Sequence, residues 1–272
     1  MKKECVSIVL PTYNRMKLVK RAIESVLLQT YEEFELIIVD DGSVDDTEEM
    51  IRTIDDKRIR YIRLEKNSGP ANARNVGIEA ARYDYIAFHD SDDCWRRDKL
   101  EKQLGRLQQT SEKIGFVYGC YEYNSLDGRK GYFPRKELDE TEKTGNIYSH
   151  MLVENLVGMP TVLVKKKCIE KVGKFNRNYA SLEDYEWLLR LSRTYEAEYL
   201  DEILVDVYAT KGSVNQNLSA NFSARCMLIG TYKEEMARVG VLDQVINEFL
   251  QDAEYLGCVE QVLNGLEQVL KM

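Results

Sequence analysis

Histidine is scarce in this sequence, with only His89 and His150 among 272 residues. This scarcity excludes a histidine-rich metal site. The six cysteines are scattered and form no CxxC pair, so we expect reduced thiols and neither a disulfide framework nor a structural zinc. No apolar run approaches the roughly 20 residues of a membrane-spanning helix. The N-terminal stretch MKKECVSIVLP is too short for the core of a signal peptide, so we expect a cytoplasmic protein.

Positive charge is in deficit as well. The 38 lysines and arginines face 46 aspartates and glutamates, for a net charge of −8. A general nucleic-acid-binding protein normally carries a basic face, so we expect no nucleic-acid partner. Glycine is missing after the first predicted strand, where residues 11–15 read PTYNR and no GxGxxG follows. That absence excludes a dinucleotide-binding dehydrogenase and disfavours a sugar nucleotidyltransferase, whose first loop is glycine-rich and basic.

What is present is a regular alternation of β-rich and helical stretches over the first 120 residues. The predicted strands are residues 6–10, 34–39, 59–64, 85–88 and 114–121. Strands separated by helices of about 10–15 residues are typical of βαβ units and a mainly parallel sheet. The pattern therefore predicts an α/β fold, Rossmann-like, with helices flanking a mainly parallel central sheet.

Beyond residue 121 the pattern is less regular. Residues 182–195 (LEDYEWLLRLSRTY) form a predicted helix, and residues 198–208 are β-like. Two further helices are predicted over 218–240 and 242–270, the second with apolar residues spaced by three and four. We expect this apolar stripe to pack against the rest of the chain. A homodimer interface and a peripheral contact at the inner face of the membrane are the alternatives.

Polar clusters follow three of the predicted strands. They are PTYN at 11–14, the pair Asp40-Asp41, and DSDD at 90–93. The carboxyl ends of parallel strands meet at one edge of a sheet, where such folds bind ligands. The acids at 90–93 would repel one another, and there are more of them than a helix cap requires. A divalent cation such as Mg²⁺ or Mn²⁺, which prefers oxygen ligands and substrate phosphates, would relieve that repulsion.

Several motifs in residues 6–120 resemble those of family-2 glycosyltransferases with the GT-A fold. They are VSIVLPTYN at 6–14, SVLLQTY at 25–31, LIIVDDGS at 36–43, NSG at 67–69, ARNVG at 73–77, and the acids at 90–93 as a DxD-type motif. The resemblance covers about the first 210 residues. It implies a GT-A domain at 1–215, with a nucleotide-binding half at 1–120 and an acceptor and catalytic-base half at 121–215. A C-terminal helical extension would occupy 216–272.

The resemblance also implies roles for individual residues. The nucleotide-sugar-binding set is Pro11, Thr12, Tyr13, Asn14, Asp41, Arg74, Asp90, Ser91 and Asp93. Within this set, residues 11–14 form the nucleoside wall, Asp41 binds the base, and Arg74 is similar to an arginine on the phosphate and base side. Asp92 is the main ligand of an Mn²⁺ or Mg²⁺ ion, and Asp90 lies nearer the ribose or a water on that metal. Asp93 faces the donor sugar or the acceptor.

Transfer of a sugar to a hydroxyl group requires a base that removes the acceptor proton. Family members often have a Glu-Asp pair before an aromatic residue and a Trp-Leu pair, as in EDYEWL at 183–188. The resemblance implies that Asp184 is the catalytic base, with Glu183 as the second choice. The alternative is that these acids only complement the helix dipole. By the same resemblance, Lys211 is a further candidate to reach the diphosphate.

These features together predict an inverting, metal-dependent glycosyltransferase. Its donor is a nucleotide-diphosphate sugar, with a UDP-sugar as the family-level expectation. Its acceptor is a hydroxyl group of a glycan or of a polyprenol-linked molecule, as in bacterial polysaccharide biosynthesis of the cell envelope. The alternatives are a non-catalytic nucleotide-sugar-binding protein and a sugar nucleotidyltransferase.

Overall fold

The computed structural model describes residues 4–135, 137–210 and 217–271. Its strands are β1 (Val6–Thr12), β2 (Phe34–Asp40), β3 (Ile59–Arg63), β4 (Tyr85–Phe88), β5 (Cys94–Trp95), β6 (Ile114–Asn124), β7 (Lys130–Phe133), β8 (Leu163–Lys165) and β9 (Glu196–Tyr208). Its helices are α1 (Met16–Leu27), α2 (Thr47–Arg52), α3 (Pro70–Ala80), α4 (Lys99–Gln108), α5 (Glu140–Lys143), α6 (Tyr148–Met151), α7 (Lys166–Val172), α8 (Glu183–Thr194), α9 (Leu218–Val239), α10 (Leu242–Leu256) and α11 (Val259–Lys271). Lys211 and the predicted boundary at residue 215 lie outside the described residues.

All of these strands join one sheet, in the order β3-β2-β1-β4-β8-β6-β9-β5, with β7 paired to β6. Strands β3, β2, β1 and β4 run parallel, whereas β8 is antiparallel to both β4 and β6. Strands β6 and β9 are parallel to each other. The structure thus confirms the predicted α/β fold with a mainly parallel central sheet. It adds antiparallel pairings around β8 that the strand pattern did not predict.

Alternate residues of β1 pack into two cores on opposite faces of the sheet. Val9 belongs to one core, and Ile8 and Leu10 belong to the other. Successive side chains of a strand point to opposite faces, and here helices cover both, so β1 is apolar without alternation. Gly77 allows α3 to lie directly on this strand, because a Cβ atom there would be 2.3 Å from Cγ1 of Val9.

The C-terminal segment differs from the prediction in one respect. Residues 242–270 form two helices, α10 and α11, because Gly257 ends α10 in the left-handed region with a φ of 71°. Part of the apolar stripe packs inward, with Phe249 fully buried, whereas Leu256, Leu263 and Leu270 are exposed. An ion pair of 2.9 Å between Arg193 and Glu235 joins α8 to α9. The C-terminal helices therefore pack against the sheet-containing part of the chain.

The strand register brings the predicted polar clusters to one edge of the sheet. Thr12 at the end of β1 lies opposite Asp40 at the end of β2. Val9 of β1 lies opposite Phe88, the last residue of β4. Since all three strands run in the same direction, their carboxyl ends and the loops that follow converge. No helix in the described part of the chain is long and apolar enough to span a bilayer.

Candidate active site

The loops that follow β1, β2 and β4 surround a cavity of about 810 Å³. Apart from Lys211, which lies outside the described residues, every residue that the sequence predicts for the site lines this cavity, from the nucleoside wall to the acids of α8. The lining also includes residues near the ends of β6 and β9 that the sequence reading missed, namely Tyr123, Val207, Tyr208 and Thr210. Two successive antiparallel pairings, through β8, turn β6 back to the direction of β4. Ligands bind beyond the carboxyl ends of strands in such sheets, so this rule would have found these residues if the antiparallel pairing through β8 had been known.

The turn after β1 is fixed by hydrogen bonds to the turn after β2. The backbone N–H of Asn14 donates to Ser43 Oγ at 2.9 Å. The Asn14 Oδ1 atom accepts from the N–H of Val44 at 2.9 Å. Asn14 has a φ of 50°, a left-handed conformation that asparagine adopts more readily than most residues. Thr12 Oγ1 is buried and has no hydrogen-bond partner among the described residues, so a ligand in the cavity can satisfy it.

The two acids at the end of β2 have different surroundings. Asp40 is held within the protein, where its Oδ2 atom accepts from the hydroxyl of Tyr61 at 2.6 Å. Asp41 lines the cavity, and its Oδ2 atom accepts from the N–H groups of Ser68 at 3.0 Å and Gly69 at 2.7 Å. Burial raises the pKa of Asp41, and these two backbone donors oppose that rise. The second acid of the pair is therefore the one available to a nucleotide base.

Arg74 occupies the centre of the site. Its Nη1 atom donates to Glu183 Oε1 at 2.7 Å, and its Nη2 atom donates to Asp90 Oδ1 at 2.9 Å. The side chain is only 7% exposed. Burial lowers the pKa of the guanidinium, but Asp90, Glu183 and Asp184 outweigh that effect and raise it. The resemblance implied a role toward phosphates and base; the structure shows both terminal nitrogens bonded to carboxylates, so Arg74 connects the aspartate loop to α8.

The aspartate loop at 90–93 is held from two sides. Arg21 donates to the backbone carbonyl of Asp92 at 2.6 Å. Thr210 Oγ1 donates to Asp92 Oδ2 at 2.6 Å. The N–H of Tyr208 donates to Asp93 Oδ1 at 3.1 Å. Burial, and then the neighbouring acids of the loop, raise the pKa of Asp93 well above its ordinary value.

The described residues contain no group of three or more His, Cys, Asp or Glu side chains that could hold a metal ion by themselves. An Mg²⁺ or Mn²⁺ ion that binds together with nucleotide phosphates needs only one or two protein carboxylates. Asp92 and Asp90 meet this lower requirement, because both line the cavity. The hydrogen bonds from Thr210 and Arg74 each engage a single oxygen of these carboxylates. The donor chemistry thus fits a shared metal–diphosphate site.

The predicted base lies at the start of α8, on the other side of Arg74. The helix begins at Glu183, one residue later than predicted, because Leu182 adopts a left-handed φ of 58°. Asp184 Oδ1 accepts from the N–H of Tyr185 at 2.8 Å. Burial, and then the charge of Glu183, raise the pKa of Asp184 to about 6, while Arg74 opposes the rise. A carboxyl group with this pKa is largely ionised at neutral pH and accepts a proton more readily than an ordinary aspartate.

Aromatic packing holds α8 against the strand that carries the aspartate loop. Trp187 is fully buried. Its ring stacks on Phe175 with centroids 4.9 Å apart and meets Phe88 edge-on at 5.7 Å. Phe88 ends β4 and precedes Asp90 by two positions. The core therefore sets the position of the base relative to the aspartate loop.

Comparison with known sequences gives a family for this arrangement. The family described as Glycosyl transferase family 2 matches residues 7–156. TuaG of Bacillus subtilis, provisionally assigned as a teichuronic acid biosynthesis glycosyltransferase, is 32% identical over 219 residues, which cover 79% of this chain and 83% of TuaG. Uncharacterized glycosyltransferases of three Rickettsia species are 38–40% identical over 180 residues. The chain spans only 25–29% of the length of these Rickettsia relatives.

Solved structures with the same fold include two with bound nucleotide sugars. S. aureus TarS 1–349 in complex with UDP-GlcNAc superposes with a TM-score of 0.75 at 20% identity, over 99% of this chain and 81% of that one. The mannosyltransferase PcManGT of Pyrobaculum calidifontis, in complex with GDP-Man and Mn²⁺, gives a TM-score of 0.67 at 16% identity, over 100% of this chain and 76% of that one. These likenesses confirm the GT-A-like fold. Since the family match spans more than half of the sequence, and TuaG aligns over most of both chains, this protein belongs to glycosyl transferase family 2.

Proposed function

We propose that this protein is an inverting, metal-dependent glycosyltransferase that moves a sugar from a nucleotide-diphosphate sugar to a hydroxyl group. The observation that carries the proposal is one cavity of about 810 Å³ lined by the nucleoside wall, the aspartate loop and Asp184. Donor-binding groups and a proton acceptor therefore share one space, as a single displacement requires.

The nucleoside binds against residues 11–14 and Asp41. Asp41 is ionised when the pH lies above its pKa. Its carboxylate then accepts hydrogen bonds from a base N–H or a ribose hydroxyl. The unpartnered hydroxyl of Thr12 supplies a second polar contact on the same wall. We propose that the base is uracil, and the structural similarity to TarS with bound UDP-GlcNAc supports this choice.

The diphosphate lies at the aspartate loop, where Asp92 and Asp90 would hold an Mn²⁺ or Mg²⁺ ion. When bound, such an ion stabilises negative charge on the departing diphosphate. Ser91 and Asp93 line the same cavity. In this proposal Ser91 contacts the donor, and Asp93 faces the donor sugar or the acceptor. Arg74 keeps Asp90 in place through its 2.9 Å ion pair. The Mn²⁺ bound with GDP-Man in PcManGT supports a divalent metal for this fold.

Asp184 accepts the proton of the acceptor hydroxyl as transfer proceeds. The acceptor oxygen forms a bond to the anomeric carbon from one face, while the bond from that carbon to the diphosphate oxygen breaks on the other face. The electron pair of the broken bond leaves with the diphosphate, and the configuration inverts. Glu183 is bound to Arg74 at 2.7 Å, so its role is to position that arginine and to set the charge around Asp184.

The acceptor is a hydroxyl group of a glycan or of a polyprenol-linked molecule. The assignment of TuaG to teichuronic acid biosynthesis supports an envelope polysaccharide as the product. In this proposal residues 1–120 bind the nucleotide, residues 121–215 carry the acceptor site and the base, and residues 216–272 form a helical extension. The inward packing of Phe249 supports a bracing role for part of that extension.

A panel of nucleotide sugars tests the proposal. Purified protein is incubated with Mn²⁺, a mixture of methyl pyranosides as acceptors, and UDP-GlcNAc, UDP-glucose, UDP-galactose or GDP-mannose, and nucleotide release and thermal shift are measured. We expect one donor to stabilise the protein and to release its nucleotide. Asp184→Asn should reduce release by about 10²–10⁴-fold while nucleotide binding persists.

Asp98→Asn is the matched control for this substitution. Asp98 is an aspartate outside the cavity, 44% exposed and paired with Lys102 on α4. Loss of the Asp98 charge in this variant should leave nucleotide release unchanged. Binding without release in the wild-type protein would support the non-catalytic alternative. Consumption of added pyrophosphate, with formation of a nucleoside triphosphate and a sugar 1-phosphate, would support a nucleotidyltransferase. Near-normal release by Asp184→Asn would refute the assignment of the base.

A further inference from the structure

Tyr123 is a partly exposed aromatic residue at the end of β6. It lines the cavity, and its side chain is 39% exposed. Tyr121 lies two positions earlier and so projects from the same face of the strand. The charges of Asp93 and Asp184 act on the Tyr121 hydroxyl, where together with burial they raise its pKa. The face of β6 that carries Tyr123 is therefore the face turned toward the catalytic carboxylates.

The strand partners of Tyr123 leave its ring uncovered. Gly131 lies opposite it on β7, and Val207 lies opposite it on β9. Directly opposed residues on neighbouring strands share a face and normally pack against each other. Gly131 has no side chain to lie on the ring, and the space beside it is open, because a Cβ atom there would have no atom of the described residues within 4 Å apart from those of its chain neighbours. Val207 lines the cavity as well, and the side chains of Tyr123 and Val207 form an apolar patch in an otherwise acidic site.

The strand order places this apolar patch on the acceptor side. The nucleoside wall follows β1 and β2, whereas β6 and β9 lie beyond β4 and β8 in the sheet. The aspartate loop after β4 therefore separates Tyr123 from the nucleoside wall. Tyr123 and Asp184, the proposed proton acceptor, both line the cavity, and the charge of Asp184 reaches Tyr121 on the same face of β6.

The charge of this region selects the kind of ligand that fits it. Among the described residues, Leu182, Val207, Tyr208, Ala209 and Thr210 line this side, and none carries a positive charge. Glu183 and Asp184 add negative charge. Arg74 is bonded to Glu183 and Asp90, and Arg21 lies over the Tyr208 ring and donates to the backbone carbonyl of Asp92. Because both arginines are engaged within the protein, a phosphate or a uronate here would meet an excess of carboxylates and would be disfavoured. A neutral sugar ring would not, and its C–H face can lie on an exposed aromatic ring.

We propose that Tyr123 is the stacking platform of an acceptor subsite that takes a neutral pyranose ring. The subsite deepens the proposed function and rests on it: the acceptor sugar lies on Tyr123 and Val207 with one hydroxyl directed to Asp184. Binding pockets for small molecules combine such an apolar surface with a few polar groups that fix orientation. Tyr123 is a binding residue for the acceptor and takes no part in proton transfer.

Saturation-transfer difference NMR tests the subsite without an identified natural acceptor. The probes are methyl β-D-glucopyranoside, methyl β-D-galactopyranoside, methyl N-acetyl-β-D-glucosaminide and the charged methyl β-D-glucuronide, each titrated into protein saturated with UDP and diamagnetic Mg²⁺. We expect wild type to bind at least one neutral pyranoside and to bind the glucuronide more weakly. Tyr123→Ala should raise the Kd of that pyranoside about tenfold, equivalent to about 1.4 kcal/mol. Tyr123→Phe keeps the ring and should retain wild-type binding.

Tyr132→Ala is the matched control. Tyr132 is a tyrosine of equal exposure, 40%, on the neighbouring strand β7. It does not belong to the cavity lining. The Tyr132→Ala variant should bind the pyranoside like wild type, and all variants should bind UDP with equal affinity.

Three results would overturn the subsite: no neutral pyranoside binds wild type, Tyr123→Ala binds as well as wild type, or Tyr132→Ala loses as much affinity. If the wild-type protein does not bind UDP, that result would instead refute the proposed function. The two failures are therefore distinguishable.

Discussion

Glu183→Gln separates the roles of the two acids that open α8. Glu183 is 7% exposed, and its Oε1 atom accepts from Arg74 Nη1 at 2.7 Å. Its charge is the second cause, after burial, of the rise in the pKa of Asp184 to about 6. Glutamine keeps the shape and can still accept a hydrogen bond from Arg74. The substitution therefore removes charge with little change in packing.

The sign and size of the effect follow from the surroundings of Asp184. The base is active when ionised, so the transfer rate falls as the pH drops through its pKa. Removal of a neighbouring negative charge lowers the pKa of a carboxyl group by about one unit or more. Arg74 also loses an anionic partner and acts more strongly on Asp184. The midpoint of the acid limb should move from near pH 6 to about pH 5, and turnover at alkaline pH should stay within about tenfold of wild type.

The assay is nucleotide release with saturating donor, acceptor and Mn²⁺, measured from about pH 4.5 to 8.5 so that the acid limb and the plateau above it are both sampled. Glu186→Gln is the matched control, since Glu186 also lies in the first turn of α8 and is 6% exposed at its side chain. It pairs with Arg190 and not with Arg74. It should therefore leave the midpoint of the acid limb unchanged. Thermal unfolding of each variant checks that the protein is folded across the pH range.

An upward shift of the acid limb in Glu183→Gln, or no shift, would refute the electrostatic account of Asp184. A loss of turnover at pH 8 as large as that of Asp184→Asn would show that Glu183 takes part in proton transfer. An equal shift in Glu186→Gln would assign the effect to the helix dipole and not to the Arg74 pair.

Asp184→Asn should raise the free energy of unfolding at pH 8 by on the order of 2 kcal/mol, because a carboxyl group whose folded pKa is raised to about 6 destabilises the fold when ionised. Urea unfolding should show this gain disappear as the pH falls from 6 toward 4. Asp92→Asn should weaken Mn²⁺-dependent binding of UDP more than tenfold and leave metal-free binding unchanged, as measured by calorimetry with and without Mn²⁺. Gly77→Ala should lower the free energy of unfolding by about 1–3 kcal/mol, because its Cβ would lie 2.3 Å from Cγ1 of Val9, and denaturant titration measures the loss.

The first half of the site was predictable from local patterns. Buried parallel strands are continuous apolar runs, so the ends of β1, β2 and β4 are visible in the sequence as the points where polar residues begin. Parallel strands bring those ends to one edge, which is why the residues at 11–14, Asp41 and the acids at 90–93 meet in one cavity. The acids of α8 were found through resemblance to family members, because a Glu-Asp pair at a helix start is common for other reasons.

The second half of the sheet was harder to predict. Strand β8 has only three residues and β5 only two, too few to show a period. Their antiparallel pairings depend on long-range packing that no local pattern records. The missed lining residues Tyr123, Val207, Tyr208 and Thr210 all depend on that pairing. The break between α10 and α11 had a local signal in Gly257, but the apolar spacing of three and four continues across it.

The sequence by itself determined the fold class, the order of strands and helices in residues 1–120, and which polar residues follow which strands. These properties depend on the hydrophobic period and on turn residues, which act over a few positions. The tertiary structure alone decided how distant side chains pair. Arg74 meets Glu183 across 109 positions, and Asp92 meets Thr210 across 118. Such contacts form only after the whole sheet has assembled, so the charge around Asp184 and the shape of the acceptor side are properties of the folded chain.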